Sequence, residues 1–230
     1  DGMNQTIAIR GLKFAGHKVL VGGSAAIYTD SQQGIERQLP NVLLWIMIWT
    51  IVLLFLFTGS VLLPIKAVVL NLISLGATIG FLCWVFIGGN LKWLIGDFHV
   101  TGAIDTSSLV LILVVAFGLS MDYELFLLSR IKEQHDAGLG TTESVAVGLQ
   151  RSGRIITAAA LVLAFSFVAF VTSGVSIMKM LGLGIAFAIL LDATVIRAFL
   201  VPALMRLLGD LNWWAPRWMK WIYRKAGLDH

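Results

Sequence analysis

The sequence predicts an all-α polytopic membrane protein, a bundle of five transmembrane helices preceded by the α/β tail of an extracytoplasmic domain. Three observations predict it. Of the 230 residues, 58% are hydrophobic and only 13% charged, and the mean hydropathy is +0.88, well outside the composition of a soluble domain. Apolar stretches at about 41–58, 65–87, 107–130, 155–174 and 180–206 reach or approach the roughly 20 helical residues that cross a hydrocarbon core. The basic residues flank these stretches and seldom interrupt them.

Residues 1–39 read as the end of a soluble domain. The segment "HKVLVGGSAAIYTD" has the pattern of a strand, a glycine turn and a short connection, and so short a piece cannot bury its own core. An opening without Met, and without a basic-then-apolar targeting segment, points to a piece of a longer chain with no removable signal peptide. Pro40 is expected to open the first span and Pro64 the second, since a missing N–H costs nothing in the first helical turn. The loop from about 88 to 106 sets Trp93 and Phe98 among polar residues, a composition suited to the membrane interface. Asp105 or Thr106 is the expected N-cap of the third span. The next loop, "IKEQHDAGLGTTESVAVGLQRSGR", is expected to hold a short surface helix from Thr141 or Thr142 to Gly153. The transmembrane domain thus covers 40–208, and residues 209–230 form an interfacial tail. There "NWWAPRWMKWIYRK" interleaves Trp213, Trp214, Trp218, Trp221 and Tyr223 with basic side chains.

Lys and Arg are retained on the cytoplasmic side of short loops. One set of loops carries Lys66, Arg130, Lys132, Arg151, Arg154, Arg206, Arg217, Lys220, Arg224 and Lys225, and the other only Lys92 and Lys179. Ten against two places the C-terminus in the cytoplasm and residues 1–39 outside. The net charge of +4 therefore reports topology. A basic, aromatic tail also suits stacking on single-stranded nucleic acid, but one that directly follows a span reads as a membrane anchor, and no nucleic-acid partner is expected. The lone Cys83 cannot form an internal disulfide and serves as a small apolar filler. The four histidines have no ligand-spaced neighbours, so no metal site is expected.

The residues that point to function are the charges inside the spans, where ionisable groups are rare and mark ion or proton pathways. In "GLSMDYELFLLSR", Asp122 falls about 5 Å to the cytoplasmic side of the midplane. Gly118 lies one turn before it and Phe126 one turn after, so the carboxylate leaves a face that a second helix can approach closely. Tyr123 points about 100° away, toward an acid on another helix. Glu124 is expected nearer the inner interface, solvated or paired with a basic loop residue. In the fifth span, Gly184, Ala188 and Asp192 follow at four-residue steps, a small-residue groove ending in a carboxylate. Arg197 is the candidate partner of Asp192. Five residues turn an α-helix by about 140°, so pairing between helices is expected, and the pair reads equally as a lock on packing or as part of a pathway. The Gly76 and Gly80 spacing in the second span argues for close helix packing.

Two other classes fit parts of the pattern. An intramembrane aspartyl protease needs two aspartates sharing a proton at about 3 Å, which Asp122 and Asp192 could supply, although "MDY" and "ILLDAT" differ from the Tyr-Asp and Gly-x-Gly-Asp elements of that family. A passive structural or lipid-sensing bundle explains the packing but gives Asp122 no purpose.

The stretches "VGGSAAIYTD", "AIDTSSLVLILVVAFGLSMDYELFLLSRIKE", "GRIITAAALVLAF" and "LLDATVIRAFLVPALMRLLGDLNWWAPRWMK" resemble the MMPL group (mycobacterial membrane protein large) of the RND transporter superfamily, and "WWAPRWMK" is similar to exporters of trehalose mycolates. The resemblance implies that the chain is the end of a second-half porter domain followed by five spans, with the first half and one span missing. It implies export of hydrophobic envelope lipids from the plasma membrane of an actinobacterium, driven by protons and with no cofactor or enzymatic step. In that family two Asp-Tyr pairs cross-bond at the bundle centre, and only Asp122 with Tyr123 can be matched here. The implied partners are the N-terminal half of the same transporter, the lipid substrate and membrane lipids. Asp192 and Arg197 would support the centre, without a matched role.

Overall fold

A computed structural model of the chain describes residues 22–98, 104–217 and 219. Five helices in it are long and apolar enough to cross a membrane, Ser24–Thr58, Leu62–Ile87, Thr106–Asp136, Thr141–Thr172 and Ser176–Trp213. They are called here the first to fifth spans. Together they make this a multi-pass membrane protein. No strand occurs among the described residues, and the strand expected near His17–Val21 lies outside them.

The chain divides into two compact units, Asp1–Ile46 and Met47–His230. In the first, Gly23 takes a φ of 106°, a conformation that glycine tolerates, and its carbonyl accepts the first helical hydrogen bond from the Ile27 N–H at 3.0 Å. The expected short connection after the glycines is therefore already helix. The reason lies in composition, since Ala25, Ala26, Gln32, Gln33, Glu36, Arg37 and Leu39 are strong helix formers. Pro40 does not open the first span but sits inside its helix, where its ring removes one backbone donor without ending the run.

In the second unit, the second span starts at Leu62 with Pro64 in its first turn, as expected. Asp105 caps the third span by accepting from the Ser108 N–H at 2.8 Å and the Ser108 hydroxyl at 2.7 Å. The fourth span corrects one expectation, for no separate surface helix ends at Gly153. The helix from Thr141 runs unbroken to Val168, because Gly153 is one tolerated residue in an otherwise helical pattern. Phe98 is buried against Phe86, with ring centroids 4.8 Å apart, while Trp93 is exposed.

The core consists of two apolar layers with a polar one between them. One layer gathers Leu63, Leu70, Leu127, Leu128, Ile131, Val145, Ile196 and Met205. The other gathers Leu82, Val85, Ile112, Ala160, Ala164, Met180, Ile185 and Ile189. Between them, Leu75, Ala116 and Ala188 meet in a small cluster, and the side chains bridging the layers there are Asn71, Ser74, Ser120 and Asp192, all buried.

Glycines set the closest helix contacts, but not all of the expected ones. A Cβ on Gly184 would sit 3.1 Å from Leu82 and 3.2 Å from Ile112, so the small-residue groove of the fifth span is filled by the second and third spans. Gly76 and Gly80, expected to pack closely, instead lie on the exposed face of the second span with nothing within 4 Å. The tight approaches are Gly148, whose Cβ would fall 2.7 Å from the Ile131 side chain, and Gly182, set against the Phe167 carbonyl and 2.8 Å from Phe170 Cβ.

The segment after the fifth span is a clamp more than a surface anchor. Asn212 is fully buried and donates to the Met205 and Gly209 carbonyls at 2.7 and 2.6 Å. Trp213 stacks on His135 with centroids 4.0 Å apart and donates to Thr141 Oγ1 at 3.3 Å. Ser60 Oγ donates to the Asn212 carbonyl, and the Val61 N–H to the Trp214 carbonyl at 3.1 Å. Trp214 is exposed, whereas Trp218, Trp221 and Tyr223 lie outside the described side chains.

Candidate functional site

The polar layer is built by three spans. The fifth departs from α-helical geometry over Asp192–Leu200, where it is π-helical, and the Val201 N–H reaches back to the Ile196 carbonyl. A π-helix closes its hydrogen bonds over five residues, which brings positions 192 and 197 onto one side. Arg197 accordingly pairs within its own span, its Nη2 donating to Asp192 Oδ2 at 2.6 Å. Pairing between helices was expected; the widened turn removes the 140° offset on which that expectation rested. The same Nη2 donates to the Ser120 backbone carbonyl at 2.5 Å, and the Ser120 hydroxyl donates to Asp192 Oδ1 at 2.8 Å. Both oxygens of Asp192 are thus engaged, and the third and fifth spans are tied at one point. The relative exposures of 5% for Asp192 and 2% for Arg197 mean that neither charge has water to fall back on.

Tyr123 extends the cluster. The Arg197 guanidinium lies over its ring, 5.1 Å from the centroid, a cation–π contact. Tyr123, Ser120 and Asp192 line a cleft of about 280 Å³ together with Asn71 and Ser74 of the second span. Asn71 is 3% exposed and its Nδ2 has no hydrogen-bond partner.

The two other acids of the third span exchange the places expected for them. Asp122 is on the exposed face, with Gly118 one turn earlier equally exposed, and among the described residues it makes no hydrogen bond or ion pair. Glu124 is neither solvated nor paired with a loop residue. It is 2% exposed, its Oε1 has no hydrogen-bond partner, and it lies within the fields of Arg197, Lys66 and Asp192. The helix extends to Asp136, three turns past Glu124, so this residue is well inside the bundle.

Two lysines counted as loop charges are also interior. Lys66, one turn into the second span, is 6% exposed with an unpartnered Nζ. Lys179, in the first turn of the fifth, donates to the Ile95 and Asp97 carbonyls at 2.7 and 3.1 Å. Sequence reasoning missed Lys66, Asn71, Ser74 and Ser120 as site residues. The signal was available in "IKAVVLNLIS", where a lysine, an asparagine and a serine recur inside an apolar run.

Comparison with known proteins bears on this cluster directly. The model of the MMPL family matches residues 5–225. The chain belongs to the MMPL family. Among MMPL relatives, the trehalose monomycolate exporter MmpL3 of Mycobacterium tuberculosis is 46% identical over 214 residues, 93% of this chain and 22% of that protein. The mycolic acid-containing lipids exporter MmpL11 of Mycolicibacterium smegmatis is 39% identical over 209 residues, 91% of this chain and 22% of that protein. The heme uptake protein MmpL11 of Mycobacterium tuberculosis is 38% identical over 212 residues, 92% of this chain and 22% of that protein. The chain therefore spans about a fifth of the length of these curated relatives.

Proposed function

We propose that this chain is the C-terminal transmembrane part of a proton-driven MMPL exporter of hydrophobic cell-envelope lipids, with Asp122 and Tyr123 as its half of the proton relay. Lipid cargo is supported by the names of two of the relatives above, and export fits them better than uptake, the activity named for a third. The observation that carries the reading is the divergence of two adjacent residues. Asp122 stands with Gly118 on an open face, while Tyr123 turns into the Ser120, Asp192 and Arg197 cluster. A carboxylate at membrane depth on an unpartnered face calls for a polar partner from elsewhere in the protein, and the N-terminal half of the same transporter is the proposed source.

In this reading residues 1–39 end a porter domain outside the membrane and the C-terminus is cytoplasmic. Asp122 takes up a proton from the outer side and releases it inside. Gain and loss of that charge shift the packing of one half against the other, and the cluster behind Tyr123 holds the third span in register while the face changes. The aspartyl-protease alternative is less well supported. Asp192 spends both oxygens on Ser120 and Arg197 and makes no hydrogen bond with Asp122, so the shared proton that chemistry needs has no place.

The test is Asp122→Asn in the full-length transporter, with proton-dependent lipid export measured in vesicles. Export is expected to be lost while membrane insertion and thermal unfolding stay unchanged. Normal export by this variant overturns the relay.

A further inference from the structure

We infer that Glu124, with Lys66 as its counter-charge, is a second proton-exchange site of the bundle, distinct from Asp122; the inference rests on the transporter reading above. Four ionisable side chains, Lys66, Glu124, Asp192 and Arg197, are buried together across the second, third and fifth spans. Their formal charges cancel, yet only Asp192 and Arg197 are in contact. Lys66 Nζ and Glu124 Oε1 are buried without a hydrogen bond, as are Nε and Nη1 of Arg197.

A locked structural network satisfies its donors and acceptors, because a buried charge stripped of a partner costs several kcal/mol. Here a lysine and a glutamate within each other's field remain apart, and Arg197 keeps two free donors beside them. A lysine and a glutamate placed so have two states of equal net charge, ammonium with carboxylate and amine with carboxylic acid, related by the passage of one proton between them. A proton reaching Glu124 leaves Lys66 charged, and a proton leaving it restores the pair. The free Arg197 donors can follow either state without breaking the Nη2 contact to Asp192.

No other ionisable side chain faces this site from the elements around it beyond Tyr123 on its own span. The buried residues of the fourth span carry no charge, and residues 47–58 of the first span have no ionisable side chain. Glu124 is two residues from Asp122 on the opposite side of one helix, about 200° around. The proposed exchange site thus faces the bundle interior while Asp122 faces the open side.

Two measurements test this. The chain, reconstituted in lipid, is titrated while the carboxylic-acid band is followed by infrared difference spectroscopy. Glu124→Gln is expected to remove one pH-dependent component and Asp122→Asn a different one; an unchanged spectrum for Glu124→Gln overturns the inference. In the full-length transporter, Glu124→Gln is expected to lower proton flux on the order of a hundredfold, the scale of losing one positioned proton-transfer group. The neutral double variant Lys66→Met with Glu124→Gln is expected to recover wild-type melting without recovering flux. Recovery of both marks a purely structural pair and overturns the inference. If Asp122→Asn transports normally while the Glu124 band titrates, it is the relay reading that fails and the second site that stands.

Discussion

Arg197 concentrates more of the bundle's polar chemistry than any other described side chain. One nitrogen, Nη2, holds both the Ser120 carbonyl and Asp192, and the guanidinium plane covers Tyr123. Replacing it with methionine leaves Asp192 charged and out of water, with only the Ser120 hydroxyl as partner. Such a truncation of a buried pair costs about 3–5 kcal/mol. Arg197→Met is therefore expected to lower the unfolding midpoint in detergent sharply, and a change no larger than that of an exposed arginine such as Arg151 contradicts the assignment. Replacing both members, Asp192→Leu with Arg197→Met, is expected to recover most of that loss, because well-packed apolar residues often equal a buried ion pair. Transport by the double variant separates the two readings open from sequence: a lock on packing survives it, a pathway does not. At this scale the sequence was half legible. The charges at 122, 124, 192 and 197 stood out against apolar neighbours, but which of them face inward depends on 100° steps around a helix whose partners a sequence does not show.

Among the elements, the fifth span departs furthest from regular geometry. Its π-helical stretch, Asp192–Leu200, makes five-residue neighbours face one another, and a single deletion there is expected to return the segment to α-helical register. Removing Thr194, whose hydroxyl is satisfied by the Leu190 carbonyl within its own helix, then separates Asp192 from Arg197. Its cost and that of Arg197→Met are expected to be far from additive, since both remove one interaction; additive melting shifts argue that the widened turn has another purpose. Between helices, glycine spacing misled because it identifies a face and not its occupant. Gly76 and Gly80 fit a packing motif and are open, whereas Gly148, in no such motif, touches Ile131. Gly148→Ala is accordingly expected to destabilise by about 1–3 kcal/mol, the range for forcing a methyl group into a packed contact. Gly153→Ala, with nothing within 4 Å, is expected to be neutral or to stabilise by up to about 1 kcal/mol through helix propensity. Thermal unfolding of the two variants side by side measures the contrast. The five spans themselves were legible from length and apolarity; their ends were not, because polar helical turns beyond the hydrocarbon core look like loops when hydropathy is the signal.

At the scale of the whole molecule, what remains is an open face. The second span leaves Ile65, Val69, Ile73, Gly76, Gly80 and Trp84 exposed, and the third leaves Val114, Gly118 and Asp122. Apolar exposure toward lipid is ordinary, but glycines and a carboxylate are not what lipid selects, and small residues flanking an acid suit a closely approaching helix. The face and the interior cluster must then respond differently to the same kind of change. Gly118→Leu adds a side chain where nothing lies within 4 Å, so melting of this chain alone is expected to shift by less than about 0.5 kcal/mol, as at an ordinary surface position. In the full-length transporter the same leucine stands between the two halves one turn from Asp122, and export is expected to fall at least tenfold, or about 1.4 kcal/mol, with the protein still inserted. Export at the wild-type rate would show that no helix approaches this face, and the relay would then need its partner from the interior cluster instead.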